Sequence, residues 1–282
     1  MFPIEALIDQ GDKALADGLT DVALKFYQRA LHEHGDNHIA YEKLGSLYLN
    51  DPKPQQGVNE AIDCFTKSLE LNPQSISSHL NLAQLSSGKD ALAYYQNALT
   101  LAQDDDLKIQ VYCSMCEIYL TDCCHDADAE AQIETFLTCM TKINPNHHQY
   151  LITAASTRIS QFKQQDAKEH LNLFFKNLSR DFESIPDYDC RISAIRLCIE
   201  TQLYDHALDL LELNLQIDED DGETWYLFGW IYFLLVNDGQ IEYEADMLEC
   251  WDKLCLLQEK NGNIDPDLIE HVKQLRVSRQ GQ

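Results

Sequence analysis

The sequence predicts an all-α protein in which successive helix pairs stack into a solenoid. Small, aromatic and turn residues recur in the same order at intervals of about 34 residues, and no stretch shows the strict alternation of a strand. The 282 residues, 45% of them hydrophobic, hold more apolar material than one compact core usually contains. Two small domains or one elongated stack would fit that length, and the repeat favours a single stack over residues 1–282.

The repeat is clearest at the start of the chain. Gly11 supplies a small contact in one helix, Ala23, Tyr27 and Ala30 recur at i, i+4 and i+7 on the next, and Gly35 closes the unit. A small residue in the first helix, an Ala–aromatic–Ala ladder in the second and a turn residue after it are the signature of the tetratricopeptide repeat.

Two further units complete the regular part, residues 1–103. Their small and aromatic residues are Gly45, Ala61, Phe65 and Ser68 in the second unit, and Ala83, Ala91, Tyr95 and Ala98 in the third. The second unit has a longer connection through residues 51–54. Residues 104–222 carry degenerate repeats, which form a fourth, fifth and sixth pair with small contacts such as Cys116, Ala155, Ala167, Ala194 and Ala207.

The last part, residues 223–282, restores the pattern. Trp225, Phe228, Gly229 and Tyr232 reproduce the first helix of a seventh pair, and a final helix that begins at Asp265–Pro266 would cap the stack. We therefore predict a right-handed superhelical, tetratricopeptide-like solenoid of about seven helix pairs with a C-terminal capping helix. An irregular helical bundle is the alternative, but small, aromatic and turn residues agree in phase in four of the units.

The charge of the chain restricts its partners. Lys and Arg total 21 against 47 Asp and Glu, for a net charge of −26. Such a field repels nucleic-acid phosphates and anionic membranes and attracts basic proteins, although it could also serve solubility alone. No window approaches the ~20 apolar residues of a membrane span, and the first ten residues do not resemble a signal peptide. We expect an intracellular monomer that binds neither nucleic acid nor membrane.

Catalytic and metal-binding motifs are lacking. The sequence contains no Gly-rich phosphate loop, no GxSxG and no HExxH. Among ten cysteines only Cys113 and Cys116 form a CxxC pair, which lies within a helical pattern and has no second CxxC at finger-like spacing. We predict reduced thiols, no metal, no cofactor and no enzymatic activity.

The predicted binding surface is the concave wall formed by the first helix of every pair. In tetratricopeptide repeats the residues one, four and eight positions after the start of that helix face the groove. The predicted partner-binding residues at or near these positions are Glu42, Glu117, Asp189, Glu200, Glu223, Tyr226 and Trp230. Glu5 and Asp12 lie on the same wall, and Arg196 opposes them. The wall would focus a negative potential onto a threaded basic chain; a merely solvated helix face is the alternative.

Four segments carry a family resemblance: Ala23–Leu31 (ALKFYQRAL), which is generic to helix-pair repeats, Leu82–Gln96 (LAQLSSGKDALAYYQ), Trp225–Trp230 (WYLFGW) and Asp265–Val272 (DPDLIEHV). With them the chain resembles the dedicated assembly chaperones of large-subunit ribosomal protein L-four, a fungal tetratricopeptide family. The resemblance implies binding of the newly made ribosomal protein through its long basic internal extension, which keeps it soluble until it enters the ribosome. It further implies a protein of cytoplasm and nucleus. A generic tetratricopeptide scaffold with another basic partner is the alternative.

Overall fold

The computed structural model describes residues 3–49, 54–179, 185–262 and 264–280. The described secondary structure is helical throughout, without a strand. Residues 51–53 of the longer connection predicted in the second repeat lie outside the described ranges. The α-helices are α1 (Ile4–Ala16), α2 (Thr20–His34), α3 (His38–Leu49), α4 (Pro54–Leu71), α5 (Ile76–Leu85), α6 (Gly88–Leu101), α7 (Asp105–Leu120), α8 (Ala129–Ile143), α9 (His148–Ser160), α10 (Gln164–Asn177), α11 (Tyr188–Glu200), α12 (Tyr204–Ile217), α13 (Gly222–Asn237), α14 (Glu244–Asn261) and α15 (Pro266–Gln280).

Consecutive helices pack as pairs, from α1 with α2 to α13 with α14. The final helix α15 contacts both members of the seventh pair. A short 3-10 helix, Ile241–Tyr243, lies in the long connection predicted between α13 and α14. The prediction of an all-α fold made of helix pairs and a terminal helix is confirmed.

The chain divides into two compact units, Met1–Pro145 and Asn146–Gln282. The boundary falls at the predicted turn between the fourth and fifth pairs, so that α1–α8 belong to the first unit and α9–α15 to the second. The finer division into regular, degenerate and restored repeats stays a prediction from sequence.

The small residues of the repeat let the helices of a pair approach closely. A Cβ added at Gly11 would overlap the ring of Tyr27, and one added at Gly229 would overlap the indole of Trp251. Tyr27 and Trp251 are both fully buried, so neither ring can move aside into solvent. Helix axes come within ~8–10 Å only where the intervening side chains are short. The glycine of the first helix is therefore paired with the aromatic residue of the second.

The ladder residues form the cores. In the first unit Ala23, Tyr27 and Ala30 are buried in one cluster with residues of α1 and α3. In the second unit Trp251 and Val272 join α14 to α15, with Tyr226 and other aromatic residues of α13 packed against them. The capping helix therefore covers apolar surface that the seventh pair would otherwise expose.

The turns within the pairs contain two residues with a left-handed backbone. Phe162, between α9 and α10, has φ of 60°, and Gln202, between α11 and α12, has φ of 61°. In the first pair the corresponding turn uses Gly18, with φ of 75°. Phe162 is also 92% exposed. Since only glycine adopts this conformation without steric cost, these two turns are locally strained.

A candidate acidic surface for a basic protein

The first unit engages one of its predicted groove carboxylates in a local network. Asp12 on α1 accepts a hydrogen bond from the Tyr27 hydroxyl at 2.6 Å and one from the Lys43 ammonium at 2.9 Å. Burial alone would raise the pKa of Asp12, but the hydroxyl and the ammonium together hold that pKa below its ordinary value. Asp12 therefore ties α1 to α2 and α3, and its charge is largely compensated within the protein.

Glu42 on α3 is engaged as well. Its Oε1 accepts hydrogen bonds from the hydroxyls of Ser68 at 3.0 Å, Ser75 at 2.5 Å and Ser78 at 3.3 Å. Ser68 and Ser78 are fully buried, so the carboxylate oxygen satisfies polar groups that water does not reach. The repeat pattern did not predict this cluster, although Ser68 stands at a ladder position that the first and third repeats fill with alanine.

Glu117 on α7 differs from these two residues. Its side chain is exposed, and no ion pair involves it among the residues that the structure describes. Its backbone carbonyl accepts hydrogen bonds from the hydroxyl and the backbone N–H of Thr121, both at 2.9 Å. Glu5, near the start of α1, is also exposed. Both carboxylates are thus open to solvent.

The second unit leaves two of its three predicted groove carboxylates open. Asp189 and Glu200, at the two ends of α11, are exposed, and neither joins an ion pair within the described ranges. From residue 187 to residue 223 the sequence has eleven Asp and Glu against two Arg. This stretch, α11 to the first turn of α13, concentrates negative charge on one part of the unit.

Glu223 on α13 forms an ion pair with Arg196, the cation that the sequence placed among the groove carboxylates. Arg196 of α11 donates from Nη2 to Glu223 Oε1 at 2.5 Å. The hydroxyl of Tyr188 lies 3.2 Å from Glu223 Oε2 and 2.9 Å from Asp221 Oδ2. Burial raises the pKa of Tyr188, and the two carboxylates raise it further, so the hydroxyl keeps its proton and donates.

The acidic run before α13 is partly structural. Asp220 lies 3.0 Å from the ammonium of Lys260 and 3.7 Å from that of Lys253, and the Lys260 ammonium in particular lowers the pKa of Asp220. Asp221 caps α13 by accepting from the backbone N–H of Glu223. Glu219 is exposed and offers its carboxylate to solvent. The run therefore both anchors α14 and contributes open charge.

Tyr226 and Trp230 face the capping helix. The Tyr226 hydroxyl lies 2.7 Å from His271 Nδ1, and the ring centroid of Trp230 lies 5.3 Å from that of His271. Trp230 also stacks on Phe233, with centroids 5.4 Å apart. Both predicted residues keep partial exposure, but α15 covers part of each ring. The repeat pattern gave no signal of this contact, because the pattern ends before α15.

Metal-binding and membrane features are lacking in the described ranges. No group of three or more His, Cys, Asp or Glu residues there could hold a metal ion. The cysteines are free thiols, and burial raises the pKa of Cys116 well above its ordinary value and that of Cys198 to about 12. None of the described helices combines the length and the apolar character that a membrane span requires.

Helix pairs with this small–aromatic packing define a protein of the tetratricopeptide class. No protein-family model matches the chain. A curated protein of Schizosaccharomyces pombe named "Probable assembly chaperone of rpl4" is 31% identical over 242 residues, which cover 79% of this chain and 72% of the relative. A protein of the same name from Emericella nidulans is 28% identical and covers 83% of this chain and 66% of the relative. The chain belongs to the family of these assembly chaperones.

Solved structures agree on the fold. The structure described as "Assembly Chaperone of RpL4 (Acl4) (Residues 1-338)" superposes with a TM-score of 0.71 over 87% of this chain and 100% of its own, at 24% identity. A tetratricopeptide repeat protein from Parabacteroides merdae gives a TM-score of 0.59 over 96% of this chain and 98% of its own, at 15% identity. The predicted tetratricopeptide-like fold and the family resemblance are confirmed, whereas the partner-binding residues stay predictions.

Proposed function

We propose that this protein is a dedicated chaperone that binds newly made ribosomal protein L4 through the long basic extension of that protein and keeps it soluble until ribosome assembly. The observation that carries the proposal is the acidic stretch of the second unit, with eleven carboxylates against two guanidinium groups. Two relatives named as assembly chaperones of rpl4 give the client its identity. The protein would act as a monomer in cytoplasm and nucleus, without direct contact to nucleic acid.

The physical basis is the replacement of counter-charges. A basic extension that binds ribosomal RNA in the finished particle lacks phosphate partners beforehand and associates with any polyanion. The exposed carboxylates of Asp189, Glu200 and Glu219 offer substitute partners. Ribosomal RNA is the denser polyanion, so it would compete for the same side chains and release the client.

The second unit would carry most of the binding. In the first unit Glu5 and Glu117 are open, but the other two predicted groove carboxylates, Asp12 and Glu42, already accept hydrogen bonds from side chains of the protein itself. A client would have to break those contacts before it gained its own. Asp189 and Glu200 require no such exchange, since no described ion pair involves them.

Tyr226 and Trp230 would add apolar and cation–π contacts to this electrostatic binding. The face of an exposed indole attracts a guanidinium within about 6 Å of its centroid. Only the ring area that α15 leaves uncovered is open to the client, and the Tyr226 hydroxyl is already bonded to His271. We expect Trp230 to contribute more than Tyr226.

A binding experiment with two forms of the client tests the proposal. Purified full-length chain is mixed with ribosomal protein L4, or with L4 that lacks its extension, and each mixture is passed over a size-exclusion column with light scattering. We expect a one-to-one complex with intact L4 and none with the truncated form. Equal binding of both forms would contradict recognition through the extension. Failure to bind either form, together with several other partners in co-purification, would favour the scaffold alternative.

A further inference from the structure

The acidic stretch of the second unit contains two cations with different environments. Arg191 is buried, and its guanidinium donates to Asn214 Oδ1 at 2.6 Å and to the Pro186 carbonyl at 2.6 Å. These contacts join α11 to α12 and make Arg191 part of the structure. The side chain of Arg196 is 64% exposed, and its guanidinium pairs with Glu223. Arg196 therefore stands in the predicted binding wall itself.

Each carboxylate oxygen of Glu223 has a partner within the protein. Oε1 accepts from Arg196 at 2.5 Å, and Oε2 lies 3.2 Å from the Tyr188 hydroxyl. Of the three carboxylates predicted from the sequence to bind the partner in this unit, Asp189 and Glu200 are open and Glu223 is occupied. A guanidinium of the client would compete with that of Arg196 for Glu223.

The exposure of the pair makes such a replacement possible. A guanidinium that already lies mostly in water loses little when it returns to water, and exposed ion pairs are weak. Arg196 is tethered to α11, however, so it competes at a high effective concentration with any single cation from solution. Only a chain that is also held elsewhere on the wall would gain a comparable advantage.

We propose that Arg196 is a built-in competitor for the basic side chains of the client. By occupying Glu223 it lowers the affinity of the wall and selects segments with several successive cations over isolated ones. The reduced affinity would also favour transfer of the client to ribosomal RNA. The inference rests on the proposed function, since it concerns the same acidic surface.

The test uses the full-length chain and a fluorescein-labelled peptide in which Arg alternates with Gly, with binding followed by fluorescence anisotropy at low salt. R196Q removes the competitor, and we expect the peptide to bind about two- to five-fold more tightly, the range that corresponds to an exposed ion pair. R196A should give the same gain. R196K keeps the charge and should stay close to wild type.

R276Q is the matched control. Arg276 of α15 pairs with the exposed Asp252 of α14 at 2.8 Å, so this substitution also removes one ion pair and one positive charge from the second unit. We expect R276Q to leave peptide affinity unchanged. In an E223Q background, R196Q should lose its advantage, because the carboxylate that it frees is gone.

The outcomes separate this inference from the proposed function. If wild type binds the peptide but R196Q raises the peptide affinity no more than R276Q does, the role of Arg196 as a competitor is refuted. The proposed binding by the acidic surface is then unaffected. A gain that persists in the E223Q background would also refute it, because general charge rather than Glu223 would be responsible. If wild type fails to bind the peptide at all, both the competitor role of Arg196 and the proposed binding by the acidic surface are refuted. Circular dichroism of each variant checks that helicity is retained.

Discussion

Reversal of three charges in the second unit provides the sharpest test of where a basic client binds. The variant D189K/E200K/E223K changes two open carboxylates and one that is paired with Arg196. Each substitution changes the charge by two, so the net charge moves from −26 to −20. The protein thus remains strongly acidic, and a general attraction for basic proteins would persist.

The expected loss follows from the exposure of these side chains. An exposed charge contact contributes about 0.2–1 kcal/mol, and reversal replaces that attraction with a repulsion of similar size. Glu223 counts for less, because Arg196 already occupies it. The three positions together should cost about 2–3 kcal/mol, or roughly 30- to 150-fold in Kd. The loss should shrink as salt is raised, since exposed charges are screened.

The control places the same charges on second helices of the same unit. Asp166 and Glu169 on α10 and Glu249 on α14 are exposed and lie outside the acidic stretch, and their replacement by Lys gives the same net charge of −20, six above −26. We expect this variant to bind L4 nearly as well as wild type in titration calorimetry. If both triple variants lose binding to the same extent, net charge is responsible and the wall is not the site.

Four further outcomes are expected. F162G should raise the free energy of unfolding by up to about 1 kcal/mol in chemical denaturation, since glycine relieves the left-handed φ of 60°; a loss would show that Phe162 packs in the folded state. D12N should be less stable than wild type at neutral pH. Because the folded-state pKa of Asp12 lies below the ordinary value of 3.8, the stability that the carboxylate contributes is lost on protonation, and the difference should vanish as pH falls below 3.8 through that lower pKa. A difference that stays constant with pH would contradict this. G229A should cost about 1–3 kcal/mol in thermal unfolding, as its Cβ overlaps buried Trp251, and a neutral effect would refute the close approach. Chelator and reductant should leave the circular dichroism spectrum unchanged, because the described part of the chain has free thiols and no metal-ligand cluster; loss of helicity would point to a structural metal or disulfide.

The local periodicity of the sequence was sufficient to determine the helix pairs. Each helix pair is built from residues close along the chain. The contact between a small residue and an aromatic one, such as Gly11 with Tyr27, forms within one helix pair. The charge of the chain, on which the prediction of a basic partner rests, is also a property of composition. For these reasons the fold class followed from the residues alone.

The state of each groove carboxylate was decided by tertiary structure. Glu42 meets hydroxyls 26 to 36 residues away, and Arg196 meets Glu223 across 27 residues. No period in the sequence specifies such pairs, because they depend on which side chains adjacent helices bring within bonding distance. Likewise, only the packing of α15 shows that Tyr226 bonds to His271, 45 residues later. The sequence indicated which residues lie on one face, whereas the packing of neighbouring helices determined which of them remain open to a partner.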